Sequence, residues 1–146
     1  MEEYLFKAKR VDNERWEKGY YVKLVGDNHH YIFTGVLDIT GLYPTLCRYE
    51  VFPETCQRYT GLNDISGTQI YEGDIIESHL GGQVLVGNMV IKYGTYQAYC
   101  PADKQYMDSV GFYASKKGYP DMPIGPTEVY AKVVGNIYDN PELLDD

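Results

Sequence analysis

The carboxylates Asp64, Glu72 and Asp74 fall within one short stretch, QRYTGLNDISGTQIYEGDIIE, at residues 57–77. Acids this close together are what general acid–base chemistry uses, one protonated and one ionised. Their neighbours give them a plainer role. Asn63-Asp64 opens a polar loop that Ser66-Gly67 closes, and Glu72-Gly73-Asp74 separates Ile70-Tyr71 from the β-branched pair Ile75-Ile76. Asx side chains fold back on their own backbone at turns, and glycine supplies the positive φ that such turns need. Gly61, Gly67, Gly73 and Asp74 are therefore read as turn-forming residues, and the acids as turn chemistry on a solvated edge.

The remaining reactive side chains assemble no better. His29-His30 with Cys47, Cys56 and Cys100 contains the donor types of a zinc site. Adjacent histidines on a strand point to opposite faces, and Cys47 and Cys56 are too far apart in sequence for the usual ligand spacing. Cys100 and His79 are a nominal nucleophile and base, but a lone thiol is more often a small buried hydrophobe. The chain has no G-x-S-x-G, G-x-x-x-x-G-K-[ST], H-E-x-x-H or C-x-x-C. The expectation is a non-enzymatic protein with no catalytic residue, no metal and no cofactor.

Tyrosine is the one compositional excess, 16 residues against 4 Phe and 1 Trp. It gives large contact area at low entropic cost and keeps a polar tip, so binding surfaces favour it. It also suits strands. Tyr96, Tyr99, Tyr106, Tyr113 and Tyr119 crowd a segment rich in glycine and proline, whose strand positions do not account for all five. These five form the candidate interaction surface.

The elements that must position these residues are short strands. Residues 5–8 read as a strand, and residues 12–18 as a charged loop holding Trp16 as a buried anchor. Residues 19–25 and 30–34 alternate apolar and polar about the turn Gly26-Asp27-Asn28, which predicts a hairpin. Pro44 interrupts, and residues 46–52 form a further strand. Residues 84–93 read as a second hairpin with Gly87-Asn88 at its tip. Residues 94–127 read as a long ordered excursion with one helical turn at 103–108, and residues 129–138 as the last strand. Asn140-Pro141-Glu142 is a helix-start signal.

Two of these stretches carry a resemblance. VFPETCQRYTGLNDISGTQIYEGDII, residues 51–76, resembles the central motif of the YopX-like phage and prophage proteins: P-E-T, then Q-Y-T-G-L-x-D and G-x-x-I-Y-E-G-D-I-V. VVGNIYDNPELL, residues 133–144, is similar to that family's closing signature, and GYYVKL with HHYIFTG to its N-terminal region. Cys56-Gln57-Arg58 stands where the family more often has Val-Gly-Gln, and residues 78–128 align with nothing. The resemblance implies a mainly β fold with an SH3-like barrel portion, additional N-terminal β elements and little helix. It also implies a phage or prophage origin and a homo-oligomer, and it implies no reaction. On this reading residues 1–56 form the N-terminal β region and residues 57–146 the barrel region, with a variable excursion at about 94–127.

Leu143 and Leu144 follow the helix-start signal at the end of the sequence given. Ordering a residue costs about 1–2 kcal/mol, and burying two leucines returns roughly 3–6 kcal/mol. They therefore dock on the chain's own barrel or on a neighbour. The resemblance to oligomeric proteins favours the neighbour, which makes Leu143 and Leu144 the candidate oligomer contact.

Charge narrows the partners. Net charge is −8; residues 1–60 hold 8 Lys and Arg against 9 Asp and Glu, and residues 61–146 hold 5 against 12. Lys7, Lys9 and Arg10 are the only basic cluster near the start and read as guards of a strand edge. No apolar run reaches the length of a membrane span, the first residues resemble no signal peptide, and three cysteines suggest no disulfide framework. The expectation is a cytoplasmic accessory protein that binds a host or phage macromolecule as an oligomeric β scaffold. The alternatives are an acidic mimic of nucleic acid that blocks a DNA-acting protein, and a barrel that binds nucleic acid. Duplex binding draws on several neutralised phosphates, so no gel shift of duplex DNA is expected at micromolar protein in about 150 mM salt. A micromolar shift at that salt would instead support the nucleic-acid-binding barrel.

Overall fold

The computed structural model describes residues 5–26, 28–80 and 83–144. The chain divides into two compact units, Met1–Tyr59 and Thr60–Asp146. The first is built from β1 (Phe6–Lys9), β2 (Trp16–Lys23), β3 (His30–Asp38) and β4 (Thr45–Val51), all antiparallel and ordered β4-β3-β2-β1. The start of β5 (Gln57–Asn63) pairs with the other side of β1, Lys7 opposite Gln57. Ala8, Ile32 and Val51 form the buried core of this unit, with Phe6, Tyr21 and Cys56 packed against it.

The hairpin expected from the alternation at 19–34 is present, with Tyr20 opposite Phe33 and Lys23 opposite His30; Asp27 of its turn lies outside the described residues. Two neighbouring expectations are corrected. Trp16 begins β2 and is half-buried instead of anchoring a loop. Lys7 and Lys9 guard no edge, because β1 is hydrogen-bonded on both sides. Their ammonium groups lie 4.9 and 5.6 Å from the Trp16 ring centroid. The indole face attracts them, and their stems cover it. That leaves Lys7 only 9% exposed.

In the second unit the remainder of β5 meets β6 (Gln69–Tyr71), and the Thr60 hydroxyl donates to the Ile70 carbonyl at 2.8 Å. A curled five-stranded antiparallel sheet is built from β7 (Asp74–Leu80), β8 (Gln83–Cys100), β9 (Gln105–Ser115), β10 (Met122–Pro123) and β11 (Ala131–Asn136), ordered β10-β9-β8-β7-β11. Its core is Ile70, Ile76, Met89, Ile91, Ala114, Ile124 and Ala131. Burying branched side chains of this kind contributes about 1.5–3 kcal/mol each. The remaining regular structure consists of short 3-10 turns at Pro53–Thr55, Thr127–Val129 and Pro141–Leu144. The fold is mainly β with little helix, as the sequence implied. No helix among the described residues is long and apolar enough to cross a membrane.

Gly87-Asn88 is not a hairpin tip. Strand β8 runs through it without a break, and Gly87 takes φ +90° inside a bulge. Glu77 pairs with Asn88 and His79 with Val84, so β8 carries extra residues between those pairs. A Gly-Asn step between two apolar runs serves a bulge as well as a turn. The helical turn expected at 103–108 is also absent, because strand pairing resumes at Gln105.

The turn at Gly73 is as expected. Its φ is +90°, its N–H donates to the Ile91 carbonyl at 2.7 Å, and its carbonyl accepts the Ile137 N–H at 2.9 Å. A side chain there strains a backbone fixed at both its donor and its acceptor. Gly73→Ala should therefore cost more than about 1 kcal/mol, the usual penalty at an unstrained glycine site. Chemical denaturation checks this, and an unchanged midpoint would contradict the assignment.

Candidate functional site

The carboxylates hold backbone. Asp64 Oδ1 accepts the N–H groups of Ser66 and Thr68 at 2.8 and 2.9 Å, and its Oδ2 accepts that of Val133 at 3.0 Å. Asp74 Oδ2 accepts the Tyr71 N–H at 2.8 Å. The turn chemistry read from the sequence is present, but the solvated edge is not: Asp64 is 4% exposed and Asp74 2%. Burial alone would raise the Asp64 carboxyl. The hydrogen bonds from Val133, Thr68 and Ser66, with the charge of Lys132, outweigh it and hold the group below its ordinary value. Gly61 sits within β5 at φ +85°, and Gly67 closes the Asp64 loop at φ +84°.

The histidines and cysteines are dispersed. His30 stacks on Tyr21 with centroids 5.5 Å apart and hydrogen-bonds its hydroxyl, while His29 engages the Glu50 carboxylate. His79 Nε2 lies 2.9 Å from Glu77 Oε1, and the Cys100 thiol donates to Asp103 at 3.8 Å. His79 pairs with Val84 at the start of β8, whereas Cys100 ends that strand. The candidate thiol–imidazole pair is thus separated by nearly the whole strand. Among the described residues no group of three or more His, Cys, Asp or Glu could hold a metal.

Four of the five candidate tyrosines lie on β8 and β9, which pair from Val90–Ser115 out to Cys100–Gln105. Strand positions therefore absorb all but Tyr119, and the excursion at 94–127 begins as a hairpin arm. One face of the arm carries Tyr93, Thr95, Gln97 and Tyr99 opposite Phe112, Val110, Asp108 and Tyr106. Tyr93 packs on Phe112 and Tyr99 on Tyr106, edge to face, with centroids 4.8 and 5.2 Å apart. Tyr99 and Tyr106 remain 52% and 54% exposed. On the other face Gly94 pairs with Gly111, at φ +151° and +154°, angles that residues with a side chain rarely adopt. Tyr96 and Tyr113 stack diagonally across that pair at 4.8 Å, while the space beside each glycine stays open. Tyr119 lies beyond β9, with Lys116 Nζ 5.9 Å from its ring.

The tail rests on its own unit: Asn88 Nδ2 donates to the Leu143 carbonyl at 2.8 Å. The closing signature explains how. Asn140 Oδ1 accepts the Asn136 N–H at 3.2 Å, Asn136 Oδ1 accepts those of Tyr138 and Asp139, and Leu143 N–H donates to the Asn140 carbonyl. A Cβ on Gly135 would stand 2.5 Å from Asn140 Oδ1.

Two features escaped the reading of the sequence. Leu144 walls a cavity of about 870 Å³ that is also lined by Asn88, Val90, Lys92, Ser115, Lys116 and Lys117. Val36, Leu37, Ile39, Leu42, Tyr43 and Leu46 stand exposed around the β3–β4 hairpin, Leu42 at 95%. The run GVLDITGLYPTL could have shown the second, since apolar residues there crowd a segment punctuated by glycine and proline.

Two curled antiparallel sheets, a half-barrel and aspartate-anchored turns define a mainly β protein. The YopX family, described as YopX protein, matches residues 5–145, and the chain belongs to it. A search of curated proteins finds no match.

Because its folded pKa lies below the unfolded value of about 3.9, Asp64 contributes stability that is present at neutral pH. That contribution is lost as pH falls through the folded value. Asp64→Asn should cost about 1.5–3 kcal/mol at neutral pH, since it weakens hydrogen bonds to a charged acceptor. It should also flatten the stability profile below about pH 5. Denaturant titrations across that range check both; parallel profiles for the two proteins would contradict the linkage.

Proposed function

We propose that this member of the YopX family is a non-enzymatic phage or prophage accessory protein, an oligomeric β scaffold that holds a macromolecular partner on its tyrosine arm. The observation that carries the reading is the arm. Beyond the core pair Ile91–Ala114, β8 and β9 continue as a two-stranded ribbon with Tyr99, Tyr106, Met107 and Val110 half or more exposed. Bare ribbons are marginal in water. This one is stiffened by three aromatic pairs along its length. Rigid, amphipathic rings lose little entropy on contact, and tyrosine is enriched among residues that dominate binding energy.

The exposed apolar side chains of the β3–β4 hairpin favour the oligomeric part of the reading. Single exposed apolar residues are ordinary, but six around one hairpin form a patch that association would cover.

The full chain and a Tyr99→Ala/Tyr106→Ala variant, each tagged and expressed in an induced host, test the first part. The wild type should retain a partner that the variant loses, with affinity for the purified partner at least about tenfold weaker. Retention of the same partner by both proteins would place the contact elsewhere. Leu42→Glu/Tyr43→Glu should lower the mass seen by light scattering while the β circular-dichroism signal stays. A wild type already monomeric at working concentration would refute the oligomer.

A further inference from the structure

The cavity walled by Leu144 has no place in that reading, and its charge is at odds with the rest of the chain. Residues 61–146 contain only 5 Lys and Arg, all lysines, against 12 Asp and Glu. Lys92, Lys116 and Lys117 all line this one cavity, and among the described residues no carboxylate lines it. A cavity lined by lysines of one sign of charge raises the local concentration of anions.

The site is built into the sheet. Asn88, Val90 and Lys92 alternate along β8 with Met89 and Ile91, which are buried in the core cluster, so the three share the other face of the sheet. Ser115 lies on the same face as the cross-strand partner of Val90. Lys116 follows the end of β9, and its Nζ would stand 3.7 Å from a Cβ on Gly87, which puts it beside the bulge. The C-terminal 3-10 turn supplies the wall, pinned by the Asn88–Leu143 hydrogen bond.

We infer that this cavity binds a small molecule through a di- or triphosphate group. Its polar lining is lysine with one amide and one hydroxyl, and it has no arginine. Arginine forks suit planar carboxylates, whereas lysine point charges with neutral donors suit the oxygens of a phosphate chain. The volume of about 870 Å³ exceeds what a single phosphate fills and falls within the usual range of small-molecule sites. Three lysines are too few for salt-resistant grip on a duplex, so the site fits a compact polyanion.

Calorimetric titration of the full chain with inorganic triphosphate, with chelator present and at about 50 mM salt, tests the inference. One saturable site is expected. Lys92→Ala/Lys117→Ala should weaken it at least about tenfold, with an unchanged melting curve as the control for folding. Lys23→Ala, an exposed lysine of the first unit, should leave it unchanged. A parallel titration with adenosine triphosphate separates the sources: equal affinity marks a site for polyphosphate alone, and tighter binding one that also takes the attached group. No saturable heat at millimolar triphosphate, or equal binding by the Lys92/Lys117 variant, would overturn it.

Discussion

One buried carboxylate ties the second unit together. Asp64 closes its own turn through Ser66 and Thr68 and, with its other oxygen, holds Val133 of β11. The two attachments lie far apart in sequence, so the side chain does for β11 what a neighbouring strand would otherwise do. Backbone contacts run alongside: Ile65 N–H donates to the Ala131 carbonyl, and the buried Thr127 hydroxyl to that of Asn63. A bare carboxylate at this depth would be costly. Three donors make it an anchor, and they fix the end of β5 and the start of β11 together.

That arrangement separates what was legible in the sequence from what was not. Turn chemistry is local: Asp64 with Gly67, and Glu72-Gly73-Asp74, announce themselves within a few residues, and the structure has turns at both. Burial is not local. Nothing near Asp64 shows that residues 131–133 will cover it, so a turn acid reads as exposed. The same limit explains Lys7 and Lys9, whose strand reads as an edge until β5 is known to lie beside it.

The candidate surfaces divide in the same way. The tyrosines were visible as a cluster, but their pairing depends on the register that sets Gly94 against Gly111. A glycine in a sequence reads as a break. Two glycines opposite one another in a ribbon, with Tyr96 and Tyr113 stacked diagonally across the pair, are part of continuous strands. The lysine cavity was the least legible. Lys92 and the Lys116-Lys117 pair meet only because β8 and β9 fold back on one another, and the wall arrives from the far end of the chain.

Strand β8 runs unbroken from Gln83 to Cys100, so the arm is a lever with its inner end clamped in the core. From Ile91 to Tyr99 a strand spans roughly 26 Å at about 3.3 Å per residue. Over that reach a tilt of about five degrees at the root sweeps the tip through roughly 2 Å, more than half a residue's rise. Where Tyr99 and Tyr106 point is therefore decided close to the root, by how Ile91 and Ala114 pack and by how tightly the Tyr96–Tyr113 stack splints the glycine pair. Changes in volume there re-aim the tip without touching any residue on it.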